Sequence, residues 1–279
     1  MLRKGDLTQG GIITTLLQFT LPMLAGSLLQ QCYNIADTLI VGQCIGANAL
    51  AAVGSAYTLM VFLISILLGL SMGSGTVFSL QYGAGDLSAL RRSIYVSLLL
   101  IGTVTILLNV AVFLWLDPIL RWLQVPYDIY SLMRNYLWII FWGIVFTFLY
   151  NFYAALLRAV GDSVTPLWFL AVSVVLNIGL DLFLILVLDQ GIEGAAVATV
   201  IAQGTAASGI LLYTYKTRPE LRLHREDMCF DRSSLREITS FSTLTCVQQS
   251  VMNFGILMVQ GLVNSFGTVV MAAFAAAVK

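Results

Sequence analysis

Two acids and a few amides lie in stretches that are otherwise apolar, and any chemistry in this chain must start from them. Residues 19–42, FTLPMLAGSLLQQCYNIADTLIVG, are long enough to cross a bilayer and carry Asp37. Gln30, Asn34 and Asp37 recur at i, i+4 and i+7, so on a helix they form one polar stripe, extended back one turn by Ser27. A carboxylate on a spanning helix costs roughly 2.5 to 3.5 kcal/mol on insertion scales, which makes an intramembrane acid a functional candidate by default. Pro22, lower on the same stretch, is a kink point. A second acid follows in SVVLNIGLDLFLIL, where Asn177 and Asp181 share a helix face at i and i+4, and Thr199 lies in GAAVATVIAQG. At about 1.5 Å of rise per residue, Asp37, Asp181 and Thr199 each fall roughly 6 to 11 Å inside the same end of their helices. Two carboxylates at one depth cannot both ionise cheaply, so they should take up a proton or a sodium ion, for which Asp, Asn and Thr supply oxygen ligands. Asn151 lies deeper and joins them only if its helix bends. Against this stand an Asp37 that reaches the headgroups and a set of unrelated interhelical hydrogen bonds, each about 0.6 kcal/mol.

The elements that position these groups follow from composition. Of 279 residues, 59% are hydrophobic and 10% charged, with a mean hydropathy of +0.91. Apolar runs of 18 or more recur, giving an all-α, polytopic helical membrane protein; period-two strands of an outer-membrane barrel are absent. MLRKGDLTQGG has no apolar core followed by a cleavage site, so the first helix is retained. Spans are expected at 13–41, 54–81, 93–116, 130–155, 165–188, 193–215 and 239–264, separated by GQCIGAN, QYGAGD, LDPILRWLQVP, RAVGDSVTP and LDQGIEG. With the N-terminus cytoplasmic, eleven basic residues face inward (Arg3, Lys4, Arg91, Arg92, Arg158 and six between Lys216 and Arg236) against Arg121 and Arg134 outside, Lys279 left aside. Trp115, Trp122, Tyr127 and Tyr130 would then mark the outer headgroup level.

Smaller features read as structure first. Gly69 and Gly73 form a small-xxx-small face. Arg158, Gly161 and Asp162 suggest a charged turn that holds the fourth and fifth spans in register. Cys32, Cys44, Cys229 and Cys246 show no metal or redox spacing and are expected to pack as small residues. Residues 216–237 form a polar, solvated linker with some attraction to anionic lipid. Its His224, the one histidine, could act as a pH switch, although a solvated loop histidine is the commoner case.

After the linker the chain repeats its beginning. FGTVVMAAFAAA at 266–277 aligns with IGANALAAVGSA at 45–56, placing Gly267 on Gly46 and Ala272, Ala273 and Ala277 on Ala51, Ala52 and Ala56. Both copies follow a helix with a polar stripe, which in the seventh span is Gln249, Asn253, Gln260 and Asn264. Six intervening spans preserve orientation, so the copies form a parallel repeat. Three parts are expected: an N-terminal six-helix lobe at 1–215, a cytoplasmic linker at 216–238 and the first helix of a second lobe at 239–279, with the chain a truncated fragment of a longer transporter.

LP near the start of the first span, ADT-x-x-VG at its end, QYGAGD, LLRA-x-GD-x-x-x-P and GIEGAA-x-AT resemble the multidrug and toxic compound extrusion (MATE) family, above all its branch similar to DNA-damage-inducible protein F. The resemblance runs along nearly the whole chain. It implies two six-helix lobes facing outward as a V, with a cation network at Asp37, Asn177, Asp181 and Thr199, with Gln30, Tyr33, Asn34 and Asn151 lining or supporting the cavity, and with Pro22 as the bend of the first helix. The expected function is a cation-coupled antiporter of the inner or plasma membrane, exchanging H+ or Na+ for drugs or other amphipathic organic compounds. It would be a monomer when full-length, with no cofactor, no metal beyond sodium and no nucleic-acid partner. A flippase for a lipid-linked oligosaccharide would need basic residues against phosphate, and the first six spans carry none near mid-membrane. A seven-helix receptor would place its N-terminus outside, a retinal protein would need a lysine in the seventh span, and an enzyme would need a nucleophile with its base.

Overall fold

The computed structural model describes residues 11–227 and 231–277, and among them there is no strand. The helices are α1 (Ile12–Cys44), α2 (Ala47–Gly83), α3 (Leu87–Trp122), α4 (Tyr127–Trp142), α5 (Ile144–Ala159), α6 (Val164–Leu182), α7 (Gly191–Thr217), α8 (Arg232–Asn264) and α9 (Thr268–Ala277). Among the described residues six are long and apolar enough to cross a membrane, and α4 with α5, bent by 49° at their junction, is long and apolar enough to count as a seventh. The all-α, polytopic architecture is as read from the sequence, but most helices run further: α2 begins at Ala47, α3 continues to Trp122 through Pro118, and α8 starts at Arg232, inside the expected linker. Small residues explain the early start of α2, because Ala49, Ala51, Ala52 and Ala56 are buried there and favour helix without needing a long apolar run. Pro118 leaves its mark as a kink, with Trp115 at φ −115°, ψ 15°. α1, by contrast, runs unbroken through Pro22.

Helix ends are fixed by sequence. Asp86 caps α3 by accepting from Ala89 N, and Asp231 caps α8 by accepting from Ser233 N and Ser234 N. Hydrogen bonds from Ala89 N and Ser88 to Asp86, and from the Ser233 and Ser234 hydroxyls to Asp231, hold both carboxyls below the usual carboxylate range. Gly46 (φ 117°) and Gly267 (φ 89°) both take the left-handed region that a side chain would strain, at the starts of α2 and α9. These are the paired glycines of the expected repeat.

α2 is the axle. In its most apolar window 61% of residues are buried, against 0% for α1, whose Leu16, Leu17, Leu21, Leu24 and Leu28 are exposed as on a lipid-facing helix. α8 lies antiparallel along α2. A Cβ on Gly69 or Gly73 would collide with the backbone of Cys246 or Ser242, so these glycines permit the approach. Further along, Phe62 packs on Phe254, ring centroids 5.7 Å apart. At the far end of the seam Asn264 Nδ2 donates to the Leu123 carbonyl at 2.8 Å and to Ser55 Oγ at 3.1 Å. Gln260 Nε2 donates to Asn264 Oδ1 at 2.8 Å, while Gln260 Oε1 accepts from Thr58 Oγ1 at 3.2 Å. α9 crosses α2 where Gly54 meets Ala275, and Ala275 is the residue that the repeat aligns with Gly54. Contact between equivalent positions is what a two-fold axis running between repeats produces.

The linker is pinned rather than loose. Asp227 is buried and pairs with Arg91 Nε at 2.9 Å, Leu221 is buried in the main core, and Arg218 reaches Asp162 at 3.3 Å. Asp162 also accepts from Thr165 N at 3.0 Å. The tight turn expected at Arg158, Gly161 and Asp162 is present, with Gly161 N donating to the Arg158 carbonyl at 3.0 Å and Asp162 N to the Leu157 carbonyl at 2.9 Å, but the charge partner of Asp162 comes from the linker. His224 is exposed and lies 3.4 Å from Asp227 through Nδ1. Of the cysteines, Cys246 packs on α2, but Cys32 and Cys44 are exposed. Arg3, Lys4, Cys229 and Lys279 lie outside the described residues.

Candidate functional site

The polar face of α1 looks into a cavity of about 410 Å3 lined by α1, α2, α4, α5, α6, α7 and Ala275 of α9. Gln30, Asn34 and Asp37 line it, as their spacing implied, and so do Tyr33, Asn177 and Thr199. Ser27 does not take part; it is exposed and donates to the Met23 carbonyl at 3.2 Å. Asn34 is buried and tied from both sides, its Nδ2 donating to Gln31 Oε1 at 3.1 Å and to the Tyr57 hydroxyl at 3.3 Å.

Behind the wall formed by Asn177 and Thr199 sits Asp181, with 0% of its surface exposed. Its Oδ1 has no hydrogen-bond partner, while its Oδ2 lies 2.9 Å from the amide end of Asn177. Tyr33 Oη approaches Thr199 Oγ1 at 3.5 Å and so links α1 to α7. Asp37, Tyr33 and Tyr136 are the Coulombic neighbours of this cluster. The shared depth expected for Asp37, Asp181 and Thr199 is thus a shared cluster, divided into a cavity side and a buried side. Among the described residues no three His, Cys, Asp or Glu side chains gather, so a cation here would have to use Asp, Asn and Thr oxygens.

Asn151 reaches the cavity because the fourth span is bent. The helix breaks at Gly143, whose Cβ would come within 2.8 Å of Val200 Cγ2, so glycine lets α7 press against the break. Asn109 Nδ2 donates to the Phe141 carbonyl at 2.7 Å and satisfies an acceptor next to the break. Beyond the break, Thr147 Oγ1 donates to Gln203 Oε1 at 2.6 Å, and Asn151 Nδ2 donates to the Thr147 carbonyl at 2.8 Å. α6 is also irregular, passing into a π-helical turn (Phe183–Val187) just after Asp181.

The sequence profile described as MatE matches residues 22–183, more than half of the chain and the whole of α2 to α5. The "Probable multidrug resistance protein YpnP" of Bacillus subtilis (strain 168) is 34% identical over 271 residues, 97% of this chain and 60% of the relative. The chain belongs to the MATE family.

Other MATE relatives agree. The "Multidrug export protein MepA" of Staphylococcus aureus (strain NCTC 8325) is 27% identical over 94% of this chain and 58% of its own length. The crystal structure of the Vibrio cholerae MATE transporter VcmN in the bent form superposes with a TM-score of 0.80 at 26% identity, covering 94% of this chain and 59% of that one. This MATE chain accordingly spans about 60% of the length of these three relatives. Sequence spacing missed Gln31, Tyr57, Tyr136, Tyr150 and the Thr147–Gln203 pair, all on the cavity wall of this MATE chain. The signal that could have found Gln203 is its place one turn after Thr199, as Asn151 is one turn after Thr147. Tyr57 and Tyr136 carry no such signal.

Proposed function

We propose that this chain is the cation-binding part of an antiporter that exports cationic or amphipathic organic compounds in exchange for H+ or Na+. Asp37, Asn177, Asp181 and Thr199 bind the ion, Gln30, Tyr33, Asn34 and Asn151 line or support the cavity, and Pro22 absorbs movement of α1. The observation that carries this reading is the lining: Asp37 is the one charged side chain on the cavity wall among the described residues, and Tyr33, Tyr57, Tyr136 and Tyr150 line the same cavity. An organic cation there gains a charge partner and ring faces, the latter worth about 0.5 to 2 kcal/mol each. A phosphate-bearing saccharide lipid would meet the carboxylate and no basic group. A small ion and a large cation would share the negative charge of Asp37, so binding one lowers affinity for the other, which is the differential binding that exchange needs. The names of the relatives, a multidrug resistance protein and a multidrug export protein, support the substrate class. The basic linker end would face the cytoplasm, in a multi-pass inner or plasma membrane protein that works as a monomer.

Equilibrium binding of tetraphenylphosphonium to the purified chain tests it. Binding should weaken as pH falls or sodium rises, and Asp37→Asn should weaken it about a hundredfold, from the roughly 2 to 3 kcal/mol of a charged partner. Equal binding of a tetraphenyl anion, or undiminished binding in Asp37→Asn, would overturn the reading.

A further inference from the structure

Several hydroxyls on α2 and α3 return to their own helix. Ser65 Oγ donates to the Phe62 carbonyl at 2.6 Å, Thr76 Oγ1 to the Met72 carbonyl at 3.3 Å, Ser79 Oγ to the Thr76 carbonyl at 2.8 Å and Thr105 Oγ1 to the Ile101 carbonyl at 2.7 Å. Ser71 and Ser74 of α2 and Ser93 and Ser97 of α3 do not. Each is at most 2% exposed, and its Oγ has no hydrogen-bond partner among the described residues. A buried hydroxyl that bonds to nothing has given up its hydration without return, so one is a defect and four on adjoining helices are a pattern that calls for a ligand.

Their order follows from helical rise. Val77 of α2 and Val96 of α3 belong to one buried cluster, which sets the register of these two antiparallel helices. Measured from that level at about 1.5 Å per residue, Ser97 lies roughly 1.5 Å, Ser74 roughly 4.5 Å and Ser71 roughly 9 Å toward the helix middle. Ser93 lies roughly 4.5 Å the other way, near the level of Gln81. The steps between levels are therefore about 3 to 6 Å, and one water bonded to two oxygens spans about 5 Å. At the linker end, Gln81 Oε1 is a further buried atom without a partner, while its Nε2 donates to Glu237 Oε2 at 3.4 Å on the exposed start of α8. We propose that α2 and α3 hold a file of bound water between them, entered beside Gln81 and bonded in turn by Ser93, Ser97, Ser74 and Ser71. The lining groups are neutral hydroxyls and one amide, which suits water rather than an ion. The file stops one turn short of Leu68, which lines the cavity. Water thus bonds the central helix to α3 where these four side chains make no bond to each other.

Thermal unfolding of the 279-residue chain in detergent tests it, with Ser74→Ala, Ser97→Ala and the double variant. Removing an unmet hydroxyl should stabilise a helix seam, and removing one bonded only to its own helix should change little. Removing one that holds water costs the water a partner, so each single variant should unfold about 2 to 4 °C lower. The double variant should lose less than the two singles together, because both hydroxyls serve the same file. A midpoint that fails to fall in either single variant, or a double variant that loses the full sum or more, overturns the proposal. Should a variant not fold, X-ray radiolysis of the unaltered chain decides. Radicals made from bound water must label Phe78 and Leu90, which are 0% exposed and stand one turn from Ser74 and Ser93. Unlabelled side chains at those two positions overturn the file.

Discussion

Two buried polar patches sit between helices of this chain, and they are built on opposite rules. At the α2–α8 seam, Ser55, Thr58, Gln260 and Asn264 are neutral, and each amide oxygen and nitrogen of Asn264 finds a partner, the last being the Leu123 carbonyl. At the α1–α6–α7 cluster, an acid with 0% exposure keeps one oxygen without a partner and meets the amide of Asn177 with the other. The first patch is complete in one state and gains nothing from a second. The second is left one partner short, at a carboxyl group whose needs differ with and without its proton. Buried polarity alone does not mark function; polarity that cannot be satisfied at one charge does.

The comparison can be broken most forcefully at the seam itself. Gly73→Val puts carbon where the Ser242 backbone lies, so it should cost about 3 kcal/mol in unfolding measured in detergent, or prevent folding. Stability equal to the unaltered chain would mean that α8 is not seated on α2 by backbone contact. A smaller effect is expected from Asn264→Leu, which leaves the Leu123 carbonyl and Gln260 short of a partner and should cost about 1 to 2 kcal/mol. Because nothing in that network titrates, the penalty should be the same near pH 5 and near pH 8. A pH-dependent penalty would erase the distinction between the two patches.

The smallest effect lies outside the bilayer. Burial pushes the Asp227 carboxyl up, but the His224 backbone N–H and the Arg91 guanidinium outweigh it and hold the group below the usual carboxylate range. A lowered folded value means that Asp227 stabilises the docked linker above about pH 4 and that this contribution is lost as pH falls through the lowered value. Pepsin digestion should cleave the linker faster between about pH 4 and pH 2, and Asp227→Asn should already cleave at the faster rate at pH 4. A linker cut at one rate throughout would show that the ion pair does not hold it.

Much of the site was legible because it obeys helical spacing. The stripe of Gln30, Asn34 and Asp37, the Asn177–Asp181 pair and Thr199 are each a regular interval on an apolar helix, and each lies where that interval points. The paired glycines at 46 and 267 were legible as a repeat, and both take a positive φ. What was not legible depends on partners distant in sequence. Asp162 has Arg158 four residues before it but pairs with Arg218, 56 residues on, because the linker folds back over the turn. Tyr57 and Tyr136 stand on helices whose surroundings are apolar, and only the packing of α1 beside α2 and α4 makes them cavity residues. Gly69 and Gly73 read correctly as a close-packing face, yet nothing in their own helix named α8 as what packs there.

The bend at Gly143 carries one more consequence. Asn109 holds the Phe141 carbonyl from a neighbouring helix, so the angle between α4 and α5 is written into two elements rather than left to one. Straightening the span would strand the Asn109 side chain in hydrocarbon, at a cost of order several kcal/mol for an unmet amide. The kink is then a fixed corner of the frame, against which the more mobile parts of the wall can be measured, and not a joint at which the wall folds.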